Sequence, residues 1–299
     1  MSGPRTTRRR FLAIGAAAAC LPGAAAAAPV RWTGVALGAE ASITVRAPEP
    51  LARAAIADAL RVIRGAERRF SLHDPGSDLS RLNAAGRLER PHRDMLRLLR
   101  LAGRAHLATG GLFDPTVQPL WRALAEGGDV AAARAAIGWE RVGISPARIV
   151  LGAGQALTLN GIAQGFATDA VADALAAHGL GDVLAHVGEH AARGGPWRLG
   201  LVDPAHGMLG TRTLRAGALA TSSPAATPLG AHGHVLHPRL GAVPARWSTV
   251  CVEAEGAGWA DALSTALCHA DRAAAEGVRA LPGVRAVTLV DLPGDLVTL

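Results

Sequence analysis

Residues 157–169 read Leu157-Thr158-Leu159-Asn160-Gly161-Ile162-Ala163-Gln164-Gly165-Phe166-Ala167-Thr168-Asp169. The stretch continues a strand-like run from Gln155, breaks at Asn160-Gly161, and passes through Ile162 to Gly165 into a long amphipathic helix that ends near His178. Strand, glycine turn and helix start form a geometry that turns backbone amides toward an anion. Glycine permits close approach, and the first helical turn carries partial positive charge. Two glycines in such a turn are common and by themselves hold nothing, so this stretch takes its meaning from its neighbours.

Toward the N-terminus, Val35 to Ala47 alternates as one strand with a bend at Gly38. Leu51 to Arg69 reads as a helix with Leu51, Ala55, Ile56, Leu60, Ile63 and Ala66 on one face. In the polar run after Phe70, Ser77 or Asp78 is placed to cap a short helix. Arg90 to Thr109 is a second long helix around Met95, Leu96, Leu98, Leu99 and Leu101, stopped by Gly110-Gly111. Asp114 before Pro115 reads as a turn-former, Asp129 to Ile137 as a short helix, and Arg148–Val150 with Ala156–Leu159 as a hairpin. Toward the C-terminus, strands are expected at Asp182–Val187, Trp197–Val202, Leu214–Thr221, Thr249–Glu253, Val284–Val290 and Leu296–Leu299, with a helix at Asp261–His269. No linker divides residues 29–299. The pattern is α+β, with helices packed on antiparallel or mixed sheets.

A composition of 49% hydrophobic and 18% charged residues is that of a globular protein. The formal charge of +7 suggests an anionic polymer, but its distribution argues otherwise. Arg5, Arg8, Arg9 and Arg10 lie in an acid-free leader, and without them 27 basic residues face 24 acidic ones. At 3% aromatics there is no basic stripe with stacking residues, and nucleic-acid binding is not expected. The leader itself, residues 1–28, places paired arginines before a short apolar run and an alanine tract, which reads as a twin-arginine export signal to the periplasm. That run is too short for a membrane span, and Cys20 within it leaves lipidation as an alternative. Cys251 and Cys268 remain after cleavage. An oxidising compartment permits a bridge between them; the favoured reading is two separate buried thiols, one in a strand and one on a helix.

Five segments then bear on function in a fixed order: FSLHDPGSDLSRLNAAG (Phe70–Gly86), TGGLFDPTVQPLW (Thr109–Trp121), LTLNGIAQGFATD, HGHVLHPRLG (His232–Gly241) and ADALSTAL (Ala260–Leu267). Together they resemble the ApbE family, the FAD:protein FMN transferases, over nearly the whole chain after the leader. Spacing alone puts Asp261 and Thr265 one helical turn apart on one face, which suits either a pair of hard oxygen ligands or a capping Asp beside a buried Thr. The resemblance selects the ligands. It implies Mg²⁺ held by Asp261, Thr265 and the backbone carbonyl of Gly161.

The resemblance also implies FAD as substrate, lying along Leu37, His73, Gly111, Phe113, Asp114, Thr158, Gln164 and Val235, with His234 assisting proton transfer. The implied reaction attaches FMN by a phosphoester to a Thr or Ser of an acceptor flavoprotein and releases AMP. Several positions depart from the family pattern. Thr158 stands for the usual Asp, Gln164 for Lys, Gly188-Glu189 for Gly-Gly, Thr221-Ser222-Ser223 for Thr-Ser-Gly, and His237-Pro238 for Asp-Pro. These departures resemble the NosX-like branch, associated with maturing a membrane-bound, NosR-like flavoprotein that serves nitrous oxide reduction. A flavin carrier that has lost catalysis is the alternative they leave open.

Overall fold

The computed structural model describes residues 28–229 and 232–299, so the export signal and Cys20 lie outside the described residues. The chain opens with strands β1 (Val30–Ala36) and β2 (Ala39–Val45), then helices α1 (Glu49–Phe70) and α2 (Asp78–Ala85), strand β3 (Arg87–Glu89) and helix α3 (Arg93–Ala108). Helices α4 (Gln118–Glu126) and α5 (Val130–Ala135), short strands β4 (Gly143–Ile144) and β5 (Arg148–Val150), and helix α6 (Ala163–Ala177) follow. The second half runs β6 (Val183–Val187), β7 (His190–Asp203), β8 (Gly207–Ser222), the two-residue strands β9 (Pro228–Leu229) and β10 (His232–Gly233), β11 (Thr249–Ala254), α7 (Ala257–Leu267), α8 (Arg272–Arg279), β12 (Val284–Val290) and β13 (Leu296–Thr298).

Eight strands form one antiparallel sheet in the order β1-β2-β6-β7-β8-β11-β12-β13. Helices cover one face. Ile43, Val45, Val183, Ala185 and Val187 of the sheet pack under Ala55, Ile56 and Ile63 of α1 and Val171 and Leu175 of α6. Further along, Val250, Val252, Val287 and Leu289 pack under Leu263 and Leu267 of α7 and Val278 of α8. The opposite face has its own smaller core, Leu184, Trp197, Leu199, Leu201, Leu214 and Leu219, contributed by β6 and the long β7–β8 hairpin.

The structure corrects several expectations, each for a local physical reason. Val35 to Ala47 is not one bent strand but the β1–β2 hairpin, because Leu37 (φ 49°) and Gly38 (φ 79°) both take the left-handed conformation of a two-residue turn. Ala156–Leu159 forms no hairpin with β5, which pairs with β3 and β4. Instead the Asn83 side chain brackets Leu157, accepting from its N–H at 2.7 Å and donating to its carbonyl at 2.8 Å. A side-chain amide thus takes the place of a strand neighbour. Helix α6 is not amphipathic in the expected sense: it runs between α1 and α7, and among its residues only Asp173 and Ala177 are exposed. Helices α4, which begins at Gln118-Pro119, and α8, capped by Asp271, were not expected. Cys251 in β11 and Cys268 at the end of α7 are buried free thiols, as read.

Candidate active site

The site forms where α6 begins against α7. The crossing is set by glycine: a Cβ on Gly165 would fall onto the Ala257 carbonyl and stand 2.8 Å from Cβ of Asp261, and one on Gly258 would stand 3.2 Å from Phe166 N. Asp169 locks the crossing, its carboxylate accepting from the N–H groups of Ala257 (2.7 Å) and Gly258 (2.9 Å) in the first turn of α7. The last residue of the central motif is therefore the cap of the helix that carries Asp261 and Thr265.

Within this frame the sequence-predicted metal set converges. Gly161 lies directly against Thr265, since a Cβ there would be 2.7 Å from Thr265 Oγ1. Asp261 is buried, and its Oδ2 accepts from Gly165 N–H at 3.0 Å. The anion at the start of α6 is thus partly supplied by the chain itself. Asp261 Oδ1 has no hydrogen-bond partner among the described residues. Burial pushes the Asp261 carboxyl well up; the Gly165 amide opposes this and the Asp169 charge adds to it. Buried Glu189 lies close by, accepting from Thr221 N–H at 3.0 Å. Burial raises its carboxyl first and the Asp261 charge raises it further. Two buried carboxyls without a cationic partner among the described residues are electrostatically unfavourable as they stand.

The remaining predicted residues lie on loops, apart from Gln164 in the first turn of α6. Asp114 is buried and ordered by its own turn, its Oδ1 accepting from Thr116 N (2.8 Å) and Oγ1 (2.6 Å). The Phe113 carbonyl accepts from His106 Nδ1 at 3.0 Å, and Gly111 (φ 85°) gives the left-handed step after α3. Thr158 joins this loop to the central motif through its N–H to Pro115 O, 2.9 Å. Arg239 joins it to the His232–Gly241 segment by donating to Gly110 O at 2.6 Å. A cleft of about 470 Å³ runs between these pieces, with Gly111, Asp114, His106, Pro238 and Arg239 in its wall. Gln164 packs its side chain against Gly188, whose φ of 87° and lack of Cβ make room for it.

His234 donates from Nδ1 to Pro224 O at 3.0 Å, so Nε2 is the acceptor nitrogen of the neutral ring, and burial holds its pKa below the ordinary value. The Val235 carbonyl accepts from His269 Nε2 at 2.9 Å. Leu37 donates its N–H to Glu67 Oε1 at 3.2 Å in the β1–β2 turn, and His73 is exposed on the α1–α2 loop with its N–H on Ser71 Oγ. A second cleft, of about 480 Å³ between α1 and α6, contains none of these residues.

The family model described as ApbE matches residues 37–288. The chain belongs to the ApbE family. Solved structures repeat the fold: the ApbE protein of Thermotoga maritima at 24% identity, TM-score 0.80, covering 90% of this chain and 96% of that one. The apo flavinyl transferase ApbE of Pseudomonas stutzeri follows at 23% identity and TM-score 0.79, covering 91% and 94%. The flavin transferase ApbE of Vibrio cholerae has 21% identity and TM-score 0.79, covering 91% and 96%. At these identities the likeness establishes the fold. No curated protein matches the sequence.

Seen as an ApbE-family site, the centre includes residues that the sequence reading passed over. Asp169 caps α7, Glu189 holds Thr221 N–H and Ser222 lies 3.3 Å from Thr265 Oγ1, and the sequence motifs give none of the three a role. For Asp169 the only sign in the sequence is its place at the end of the stretch that holds the glycine turn; Ser222 and Ser264 carry none, because their roles depend on strand β8 and helix α7 meeting.

Proposed function

We propose that the protein is an exported, Mg²⁺-dependent FAD:protein FMN transferase. The observation that carries this is the meeting of Gly161, Asp261 and Thr265 at the α6–α7 crossing, in a chain of the ApbE family. The donor set fits a divalent cation: a buried carboxylate with one oxygen uncommitted, a hydroxyl, and a glycine where a Cβ would fill the space beside that hydroxyl. Asp261, Thr265 and the Gly161 carbonyl would hold Mg²⁺, which supplies charge neutralisation for the pyrophosphate oxygens.

The rest of the work falls to the chain itself. FAD would lie along the Gly111–Asp114 loop, whose Gly111 and Asp114 line the cleft of about 470 Å³, with Leu37, His73, Thr158, Gln164 and Val235 as its further expected contacts. An acceptor Thr or Ser hydroxyl attacks the phosphorus on the FMN side, the bond to the bridging oxygen breaks, and AMP leaves with that oxygen. His234, neutral and with no partner on Nε2 among the described residues, can take the hydroxyl proton. Thr158 and Gln164 replace a charged pair by neutral hydrogen-bonding groups, which supports the NosX-like assignment and a membrane-bound acceptor.

The test mixes purified protein, FAD, Mg²⁺ and a periplasmic acceptor domain bearing the flavinylation Thr. AMP release with covalent yellow fluorescence on the acceptor, lost on chelation, is expected. Asp261→Asn should abolish both while leaving the circular dichroism spectrum unchanged. FAD binding without AMP release on any acceptor would instead support the carrier reading that Thr158 and Gln164 leave open.

A further inference from the structure

A hydroxyl has one proton to give, and a hydroxyl that ligates a cation must point that proton elsewhere. Around Thr265 the destination of every hydroxyl proton can be worked out. Ser264 Oγ, buried in α7, lies 3.0 Å from the Asp261 carbonyl oxygen; a carbonyl only accepts, so the Ser264 proton goes there. Ser222 Oγ lies 2.7 Å from Ser264 Oγ. With the Ser264 proton committed, Ser222 is the donor in that pair. Ser222 Oγ also lies 3.3 Å from Thr265 Oγ1. With the Ser222 proton committed, Thr265 is the donor in turn.

The relay therefore runs Thr265 to Ser222 to Ser264 to the Asp261 carbonyl. It leaves the lone pairs of Thr265 Oγ1 available on the side of Gly161.

We propose that Ser222 is a positioning residue for the metal site: it accepts the Thr265 proton and so holds Thr265 Oγ1 as a lone-pair donor toward the cation. This inference rests on the metal reading above. The fold holds Ser222 in place from both sides. Strand β8 continues to it with the helix-facing parity of Ala218 and Ala220, which both pack into the cores under the helices. Before it, Thr221 N–H is fixed by Glu189 Oε2. After it, Ser223 Oγ lies 2.7 Å from Thr249 Oγ1, whose own proton goes to Asp203 Oδ2 at 2.6 Å, so Ser223 is the donor there. Glu189 and Asp203 thus anchor the end of β8 that presents Ser222 to α7.

The test is Mn²⁺ binding to the purified protein in the presence of FAD, followed by loss of the free-ion EPR signal, with melting curves as the fold control. Ser222→Ala leaves the Thr265 proton without its acceptor and should weaken Mn²⁺ binding by about 10-fold or more, the scale of a lost partner behind a metal ligand. Ser264→Ala frees the Ser222 proton to compete for Thr265 Oγ1 and should weaken binding in the same direction. In a Thr265→Val background Ser222→Ala should cause no further loss, which a merely structural role would not produce. Wild-type affinity in Ser222→Ala would overturn the relay while leaving the metal reading intact. An equal Ser222→Ala loss in the Thr265→Val background would likewise overturn it. Absence of Mn²⁺ binding by the wild type would overturn the metal reading and the relay together.

Discussion

Asp169 connects the two halves of the site at the scale of a single side chain. Both its oxygens are committed to first-turn amides of α7, and burial, working against those two bonds, raises its carboxyl above the ordinary value. Removing it strands two amide donors at a helix start that is otherwise without a side-chain cap. Asp169→Ala is therefore expected to lower unfolding free energy by about 2–3 kcal/mol, measured by urea titration. The same variant should reduce FMN transfer, because the first turn of α7 leads directly into Asp261. Asp261 itself has a structural share: its Oδ2 satisfies Gly165 N–H, so Asp261→Ala would cost about 1–3 kcal/mol where Asp261→Asn keeps an oxygen in place. Asp261→Asn melting more than a few degrees below Asp261→Ala would contradict that reading.

Between elements, the α6–α7 crossing is the tightest constraint near the site. Gly165→Ala would drive its Cβ into the Ala257 carbonyl and toward Asp261, forcing the helices apart. A stability loss of about 2–3 kcal/mol is expected, with loss of transfer activity. Gly277 in α8 is the counter-case: it is exposed and its Cβ would meet nothing within 4 Å, so Gly277→Ala should stabilise by about 0.5–1 kcal/mol in the same assay. What the sequence allowed follows the same division. Helices α1 and α3 each bury one face, and periodicity located both within a few residues. Helix α6 is buried nearly all round, so its pattern misled, and the first turn of α7 was missed because its cap lies 88 residues earlier in the chain. The β1–β2 turn was misread because Leu37 occupies a left-handed position where Asn or Gly would have announced it. Of the site, the residues on motifs were legible; the hydroxyls that direct Thr265 were not, since no local spacing links Ser222 to Ser264.

The whole sheet divides the molecule's chemistry between its faces. The helix face carries the site, while the opposite face carries His186 and His190, stacked with ring centroids 4.2 Å apart and planes at 15°. Burial depresses both pKa values. For His186 a bond to Gly188 and the charge of Glu40 oppose burial, and Arg31 assists it; for His190 the neighbouring His186 adds to burial and carries its pKa well below 6.5. A histidine whose folded pKa is depressed takes up its proton more readily when unfolded. Its contribution is therefore complete above the unfolded value of about 6.5 and falls as pH drops below it, by at most about 1.4 kcal/mol per pH unit per histidine. Asp203 acts in a different window: burial raises its carboxyl, but bonds from Ser248, Thr249, Ala205 and His206 outweigh that and hold it below 3.8, so its contribution is lost only under stronger acid. Between pH 7 and pH 5 the buried Asp261 and Glu189 carboxyls, raised in the folded protein, act in the opposite sense, so the histidine share is read as a difference between variants. The melting temperature of His190→Phe relative to wild type should rise from pH 7 to pH 5 in two-state unfolding, and the two profiles should run parallel below pH 4, where carboxylates of the Asp203 kind respond. A difference that stays constant from pH 7 to 5 would mean that the stacked pair is already open to protonation in the folded protein.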